Sequence, residues 1–236
     1  LIFLGKLFTN PEKFRVYWAL TMQECKDIGI NSMLIVTIVS SFLGAVTCVQ
    51  TAANMENPFV PKYIISLIVR DSTILELGPT ITCVVLAGKI GSNIAGQLGT
   101  MRITEQIDAL EVMGINSPSY LVLPKMIAAM LTFPMLVTMA CFLGIYGGYL
   151  AGWLTGSVTQ QSYIYGLQFD FKPNYVLFAL IKSVVFGFLV ASIAAFQGFY
   201  TKGGAYEVGK ASTAAVTNAC IAILIADYLL AQLLVG

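Results

Sequence analysis

Four charged side chains fall inside long apolar stretches of this 236-residue chain: Glu76, Lys89, Lys182 and Asp227. A charge at the centre of a bilayer costs on the order of 2.5 to 3.5 kcal/mol, so such side chains normally face a bundle interior or a water-filled cavity. Two kinds of chemistry fit them, namely a relay for protons or ions and a set of contacts for a polar headgroup. A third interpretation is structural, with the charges pairing to set helix register.

Position separates Lys89 from the other three charges. It lies near the end of its apolar stretch, and we expect its aliphatic stem to carry the ammonium group to the membrane surface. Glu76, Lys182 and Asp227 are therefore the candidate cavity residues. Pro79 follows Glu76 closely and removes a backbone hydrogen bond, which predicts a kink that opens the local backbone toward a cavity.

The residue types exclude most enzymatic chemistry. The chain has no histidine, which removes the usual general base and the commonest metal ligand. Its five cysteines are scattered and show no pairing typical of a disulfide or metal framework. No glycine-rich phosphate-binding loop ends in lysine followed by serine or threonine. We expect no catalytic residue, no metal and no cofactor in this chain.

Composition indicates an integral membrane protein. Hydrophobic residues make up 57% of the chain and charged residues 11%, with a mean hydropathy of +0.81. The formal net charge of +1 argues against nucleic-acid binding. At roughly 20 apolar residues per crossing, we predict an all-α fold with five transmembrane helices at residues 33–53, 74–96, 121–154, 176–200 and 211–235.

The cations between the predicted spans and near their ends orient the bundle. One side carries Lys6, Lys13, Arg15, Lys26, Arg102, Lys125, Lys202 and Lys210. The other side carries only Lys62, Arg70 and Lys172. Because cytoplasmic loops are richer in lysine and arginine, we predict a cytoplasmic N-terminus and a C-terminus on the opposite, outer side of the membrane.

Residues 1–32 precede the first predicted span. Phe14, Tyr17, Trp18 and Met22 recur there at helical spacing among charged residues. This pattern predicts an amphipathic helix that lies in the interface plane or packs as an ordinary helix on the bundle.

Glycines recur every four residues in the third predicted span, at Gly144, Gly148, Gly152 and Gly156. Such a stripe lets another helix backbone approach closely. The partner helix belongs either to the same chain or to a second copy, and the pattern does not distinguish the two.

Residues 99–114 form a glycine-bounded segment that predicts a short cytoplasmic helix. Ile103, Ile107 and Leu110 fall on one face, and a neighbouring strip is acidic, with Glu105, Asp108 and Glu111. An apolar ridge beside an acidic strip suits docking on a soluble motor. The same pattern fits a helix that rests on lipid or caps the bundle.

This segment resembles the signature region of MlaE-type permeases. Further matching segments are Glu-Leu-Gly-Pro at 76–79, Gly-Lys-Ile-Gly-Ser at 88–92, Leu-Ile-Lys-Ser-Val-Val-Phe at 180–186 and Ala-Asp-Tyr at 226–228. The resemblance covers essentially the whole chain, as one permease domain at 1–236. It implies the permease subunit of an ABC transporter that moves phospholipids between the inner and outer membranes of bacteria.

The resemblance also implies partners and site residues. It implies a homodimer in the inner membrane, a cytoplasmic ATPase that holds ATP and magnesium, a periplasmic MCE-domain lipid-binding protein and, in some members, a STAS-domain protein. Polar residues at the positions of Glu76, Lys182 and Asp227 would contact the lipid. The residues of the coupling helix that docks on the ATPase would be Arg102, Ile103, Glu105, Ile107, Asp108, Leu110 and Glu111.

Two other functions remain open from the residues alone. A stand-alone ion-coupled carrier would use Glu76, Lys182 and Asp227 as a relay and would transport without an ATPase. A non-transporting scaffold would recruit cytoplasmic partners through residues 99–114 and would hold no lipid in a central cavity.

Overall fold

The computed structural model describes residues 14–55 and 61–235. This part of the chain is 89% helical and contains no strand. Five helical stretches in it are long and apolar enough to cross a membrane: Val16–Asn54, Tyr63–Ile103, Ser117–Leu154, Pro173–Phe199 and Ala205–Leu233. The predicted all-α membrane fold with five spans is confirmed.

Ten α-helices make up these stretches and their connections. They are α1 Phe14–Cys25, α2 Asn31–Asn54, α3 Tyr63–Ser72, α4 Thr82–Leu86, α5 Ser92–Ile103, α6 Gln106–Val112, α7 Ser117–Leu154, α8 Gln160–Gln168, α9 Pro173–Phe199 and α10 Ala205–Val235. Wider π-helical turns at Lys26–Ile30, Thr73–Ile81 and Ala87–Gly91 continue the helical backbone between α1 and α2, α3 and α4, and α4 and α5. Such turns are rare and often mark functional sites.

The helices extend beyond the predicted spans because hydropathy detects only the apolar part of a helix. The second stretch runs over Tyr63–Ile103, where we predicted a span at 74–96. Helix α7 has 38 residues, about 57 Å, against a hydrocarbon thickness of roughly 30 Å. It passes through Pro134 without ending.

Helix α1 is continuous with the first span. Residues 1–13 lie outside the described part of the chain, so the structure bears on the predicted 1–32 segment only from Phe14 onward. The Tyr17 hydroxyl is buried 2.7 Å from the hydroxyl of Ser119 in α7. Trp18 and Met22 are exposed. These contacts favour a helix packed on α7 by one face.

Contacts divide the chain into two units. The first contains the described parts of Leu1–Ser32, Cys83–Phe133 and Val184–Gly236. Small residues join its helices, since a Cβ on Gly198 of α9 would lie 2.6 Å from the carbonyl oxygen of Ala95 in α5. A Cβ on Gly99 of α5 would lie 3.1 Å from the Val208 side chain of α10.

The second unit contains the described parts of Met33–Thr82 together with Pro134–Ser183. Its helices α2 and α7 meet backbone to backbone, because a Cβ on Gly44 would overlap the carbonyl group of Gly144. Farther along α7, a Cβ on Gly148 would lie 2.7 Å from the Tyr163 hydroxyl, and one on Gly152 would lie 3.3 Å from the sulfur of Cys48. Three of the four stripe glycines therefore pack within the chain.

Gly156 does not belong to this packing surface. It adopts φ +67 in the turn after α7, and a Cβ there would meet no atom within 4 Å. Its left-handed backbone, which favours glycine, ends the helix. Packing of Gly156 against a second copy of the chain stays a prediction.

A small core holds α3 and α8 in the second unit. Buried Tyr163 donates a hydrogen bond to the carbonyl of Ile145 at 3.0 Å, and burial raises the pKa of its hydroxyl above the usual range.

Arg70, which we predicted among the cations of the outer loops, is buried as well. Its guanidinium donates to the carbonyls of Leu167 and Phe169 at 2.8 Å each, which satisfies the end of α8.

We predict that Gly44→Ala lowers the stability of the purified protein by about 1–3 kcal/mol, because the added methyl overpacks the contact with Gly144. The thermal midpoint in detergent measures this. Gly209→Ala is the control, since Gly209 is helical and has open space around it. An equal midpoint for both variants would mean that α2 and α7 do not pack this closely.

Candidate functional site

Glu76 and Lys182 form an ion pair, although they lie 106 residues apart in the chain. Lys182 Nζ is 3.0 Å from Glu76 Oε1. The lysine side chain is only 3% exposed, whereas the glutamate side chain is 50% exposed. The structure therefore buries the cation and presents the carboxylate at the edge of the second unit.

Lys182 also contacts the backbone of the π-helical turn around Glu76. In a regular α-helix the carbonyl of Leu75 accepts a hydrogen bond from the residue four positions later, which is Pro79 and has no N–H. Lys182 Nζ donates to this carbonyl at 3.1 Å. One ammonium group thus serves both the backbone beside the proline and the carboxylate of Glu76.

Thr80 orients the carboxylate from the other side. Its hydroxyl lies 3.5 Å from Glu76 Oε2, one helical turn away. Removing one partner of a buried pair leaves an uncompensated charge, which is far costlier than removing both. The Glu76–Lys182 pair has no net charge and holds the half-exposed carboxylate in place. This carboxylate can accept a hydrogen bond from a bound polar group.

Asp227, the third predicted cavity residue, belongs to the first unit. It lies in α10, where its Oδ1 atom is buried. The Glu76–Lys182 pair belongs to the second unit. A contact of Asp227 with lipid therefore stays a prediction.

The predicted coupling helix at 99–114 is broken into two helices. Helix α5 ends at Ile103, Glu105 adopts a left-handed backbone with φ 59, and α6 begins at Gln106. An ion pair closes the turn, with Arg102 Nη1 2.6 Å from Asp108 Oδ1. Periodicity alone predicted one helix, because a non-glycine residue with positive φ leaves no clear sequence signal.

The apolar ridge of this segment faces inward. Ile107 is completely buried, and Ile103 and Leu110 are partly buried. The exposed apolar side chains are instead Val112 at 89% and Met113 at 66%. Ile107 is therefore a core residue of this unit, and its contact with an ATPase stays a prediction.

The acidic strip is also partly engaged within the chain. Glu111 accepts a hydrogen bond from the buried hydroxyl of Ser117 at 2.8 Å, and Asp108 is paired with Arg102. Glu105 is exposed. Of the three carboxylates, the described contacts leave that of Glu105 open to a partner.

Sequence reasoning missed a polar cluster in the first unit. Lys125 of α7 is buried, forms an ion pair with Glu24 of α1 and donates to Gln97 of α5 at 2.8 Å. The cation pattern counts Lys125 only among the cations of the predicted cytoplasmic side, since no spacing rule links residues 24, 97 and 125. Its place inside the predicted third span was the available signal. Across the described residues, no group of His, Cys, Asp or Glu is arranged to hold a metal ion.

Comparison with known proteins identifies the family. The family model described as Permease MlaE matches residues 21–233. A probable ABC transporter permease protein of Rickettsia bellii is 37% identical over 92% of this chain and 84% of its own length. A probable ABC transporter permease protein of Synechocystis is 33% identical over 98% of this chain and 87% of its own length. The intermembrane phospholipid transport system permease protein MlaE of Haemophilus influenzae is 28% identical over 98% and 88%. The chain belongs to the MlaE permease family.

Proposed function

We propose that this chain is the permease subunit of an ABC transporter that moves phospholipids between the inner and outer membranes of a bacterial envelope. The family and the names of its relatives support a permease, and the Haemophilus influenzae relative is named for intermembrane phospholipid transport. The observation that carries the proposal is the Glu76–Lys182 pair within membrane-spanning helices. Charged residues inside membrane-spanning helices cost free energy, so they are candidates for a functional role.

A phospholipid needs two kinds of contact, and the second unit offers both. The Glu76 carboxylate would accept hydrogen bonds from the headgroup, while buried Lys182 keeps it in place. Acyl chains need only apolar surface. Helix α2 exposes such a surface at every fourth residue, through Leu34, Ile38, Phe42 and Val46.

We predict that Glu76→Ala abolishes lipid transport and lowers stability, because Lys182 is left buried without its carboxylate. The loss of stability should be smaller than the about 3–5 kcal/mol typical of a fully buried pair, since Glu76 is half-exposed. The double variant Glu76→Leu, Lys182→Met should recover stability and remain inactive, because it has neither the buried charge nor the hydrogen-bond acceptor. Lipid transfer between vesicles and the thermal midpoint measure the two effects separately.

The control is the exposed pair Asp170 and Lys172, 3.8 Å apart in the same unit. Asp170→Asn with Lys172→Met should change stability by less than about 1 kcal/mol and leave transport intact. Normal transport by the stable Glu76→Leu, Lys182→Met variant would refute the headgroup role. Transport driven by an ion gradient without any ATPase would favour the carrier hypothesis.

The proposal includes a cytoplasmic ATPase partner that binds ATP and magnesium. The exposed end of α6 suits its docking, because Val112 and Met113 are the large apolar side chains open to a partner there. Glu105 is exposed at the other end of the same helix. Apolar contact by the first two and charge complementarity through the third would fix the register of the partner.

We predict that Val112→Asp with Met113→Asp reduces copurification of the ATPase at least tenfold and leaves the thermal midpoint of the permease unchanged. Ile107→Ala should do the opposite, lowering permease stability by about 2–5 kcal/mol through a core cavity. Quantitative copurification and thermal melting distinguish the two variants. Full ATPase binding by the double Asp variant would exclude this docking surface.

The remaining partners rest on the family resemblance and on one exposed surface. Helix α10 exposes Ile221, Leu224, Ile225 and Tyr228. In a membrane this surface faces lipid or another helix, and we propose that it faces a second copy of the chain in a homodimer. A periplasmic MCE-domain protein and, in some systems, a STAS-domain protein would complete the assembly.

The proposed orientation places the N-terminus in the cytoplasm and the C-terminus in the periplasm of an inner-membrane protein. We predict that Gln161→Cys, in a variant free of native cysteines, reacts with a membrane-impermeant thiol reagent from the periplasmic side. Ala205→Cys should react only after the membrane is opened. Both positions are exposed, so accessibility within the protein does not bias the comparison. The reverse labelling pattern would invert the topology.

A further inference from the structure

A groove of about 630 Å³ opens in the first unit between α1, α5 and α7. Its volume falls within the roughly 300–1,000 Å³ typical of small-ligand sites. The apolar part of its lining comes from Leu20, Met101, Leu121 and Pro124. The polar part includes Glu24, Gln97 and Lys125. The groove shares no residue with the Glu76–Lys182 site.

The Lys125 ammonium is the most buried charged group of this groove. The lysine is 6% exposed, and its Nζ atom bonds Glu24 and Gln97. An ammonium group carries three hydrogens. Within the part of the chain that the structure describes, two of them have a protein acceptor, and the third is available to an oxygen atom of a ligand.

Glu24 gives the groove its second charge. Its Oε1 atom pairs with Lys125, and its side chain remains 24% exposed. A simple anion would be repelled by this carboxylate, and a simple cation by the ammonium. A zwitterion suits the pair, because its negative group can approach Lys125 while its positive group approaches Glu24.

The surroundings indicate that such a zwitterion is part of a lipid. Helices α5 and α7 belong to stretches that are apolar and long enough to cross a membrane. Trp18 and Met22 are exposed on α1, on the side of the helix that faces away from the groove residues Leu20 and Glu24. Aromatic side chains such as tryptophan collect at the depth of lipid headgroups. A lipid would place its headgroup on the ion pair and its first methylene groups against the apolar walls.

We propose that the groove between α1, α5 and α7 binds the headgroup of a zwitterionic phospholipid, with the phosphate at Lys125 and the ammonium at Glu24. The site is separate from the proposed transport site. It lies at the end of the bundle that the cation distribution predicts to be cytoplasmic. Its occupant would tie α1 to α5 and α7 and make their packing depend on the surrounding lipid.

The test uses a photoactivatable phosphatidylethanolamine that carries a diazirine next to its headgroup, added to the purified full chain in detergent. Mapping of the labelled peptides should place adducts on the groove residues Leu20, Met101 or Leu121. Asn93→Trp should reduce these adducts about tenfold by filling the groove, and Thr100→Trp, on the same helix face, provides a second blocking variant. Asn54→Trp, at an exposed position of α2, is the matched control and should label like the unmodified protein.

Competition identifies the chemistry of the ligand. Unlabelled phosphatidylethanolamine should displace the probe, whereas glycerophosphoethanolamine and inorganic phosphate at millimolar concentration should not. Glu24→Gln should raise binding of phosphatidylglycerol relative to phosphatidylethanolamine about tenfold, because the charge of Lys125 then has no carboxylate partner in the groove. A tenfold change is the size expected for one hydrogen bond to a charged group. Size-exclusion chromatography checks that each variant folds.

The proposal would be overturned if no adducts formed in the groove, or if both blocking variants were labelled as strongly as the unmodified protein. Displacement of the probe by the water-soluble competitors would also overturn it, because the groove would then bind a free phosphate compound. The labelling assay requires no transport. Glu76→Ala should retain the groove adducts even though it loses transport, so the two proposals fail separately.

Discussion

Buried charge and missing backbone hydrogen bonds are the constraint on which this structure depends. Lipid offers no water to a free carbonyl or an unpaired ammonium, so the chain itself must satisfy both. Lys182 meets this demand twice, through the Leu75 carbonyl and the Glu76 carboxylate. Pro79 cannot supply the N–H that a regular α-helix would direct at this carbonyl, and the backbone forms a π-helical turn there.

The same constraint explains how the helices are packed. Apolar side chains gain little by leaving lipid for each other, so helices associate through close backbone approach and polar contacts. Gly44 and Gly144 bring α2 and α7 into contact in the second unit. In the first unit the contacts are polar as well, with Tyr17 beside Ser119 and Lys125 bonded to Glu24 and Gln97.

The two units carry different kinds of functional surface. The second holds a paired, half-exposed carboxylate beside a π-helical turn, which suits a binding site. The first carries the exposed end of α6, the groove lined by α1 and the buried Lys125. The proposed function would use both kinds of surface, because the lipid and the proposed ATPase would bind at different places.

The amino-acid sequence by itself determined the all-α membrane fold, the five spans and the candidates Glu76 and Lys182. Hydropathy and the cost of burying charge depend on residue type, so a single chain read in order carries that information. Tertiary structure decided the pairing of Glu76 with Lys182, the inward direction of Ile107 and the left-handed turn at Glu105. It also assigned Gly144, Gly148 and Gly152 to contacts within the chain and Gly156 to a helix end. These features depend on which residues far apart in the chain come into contact. Helical periodicity shows only which residues share a face of one helix, not what that face packs against.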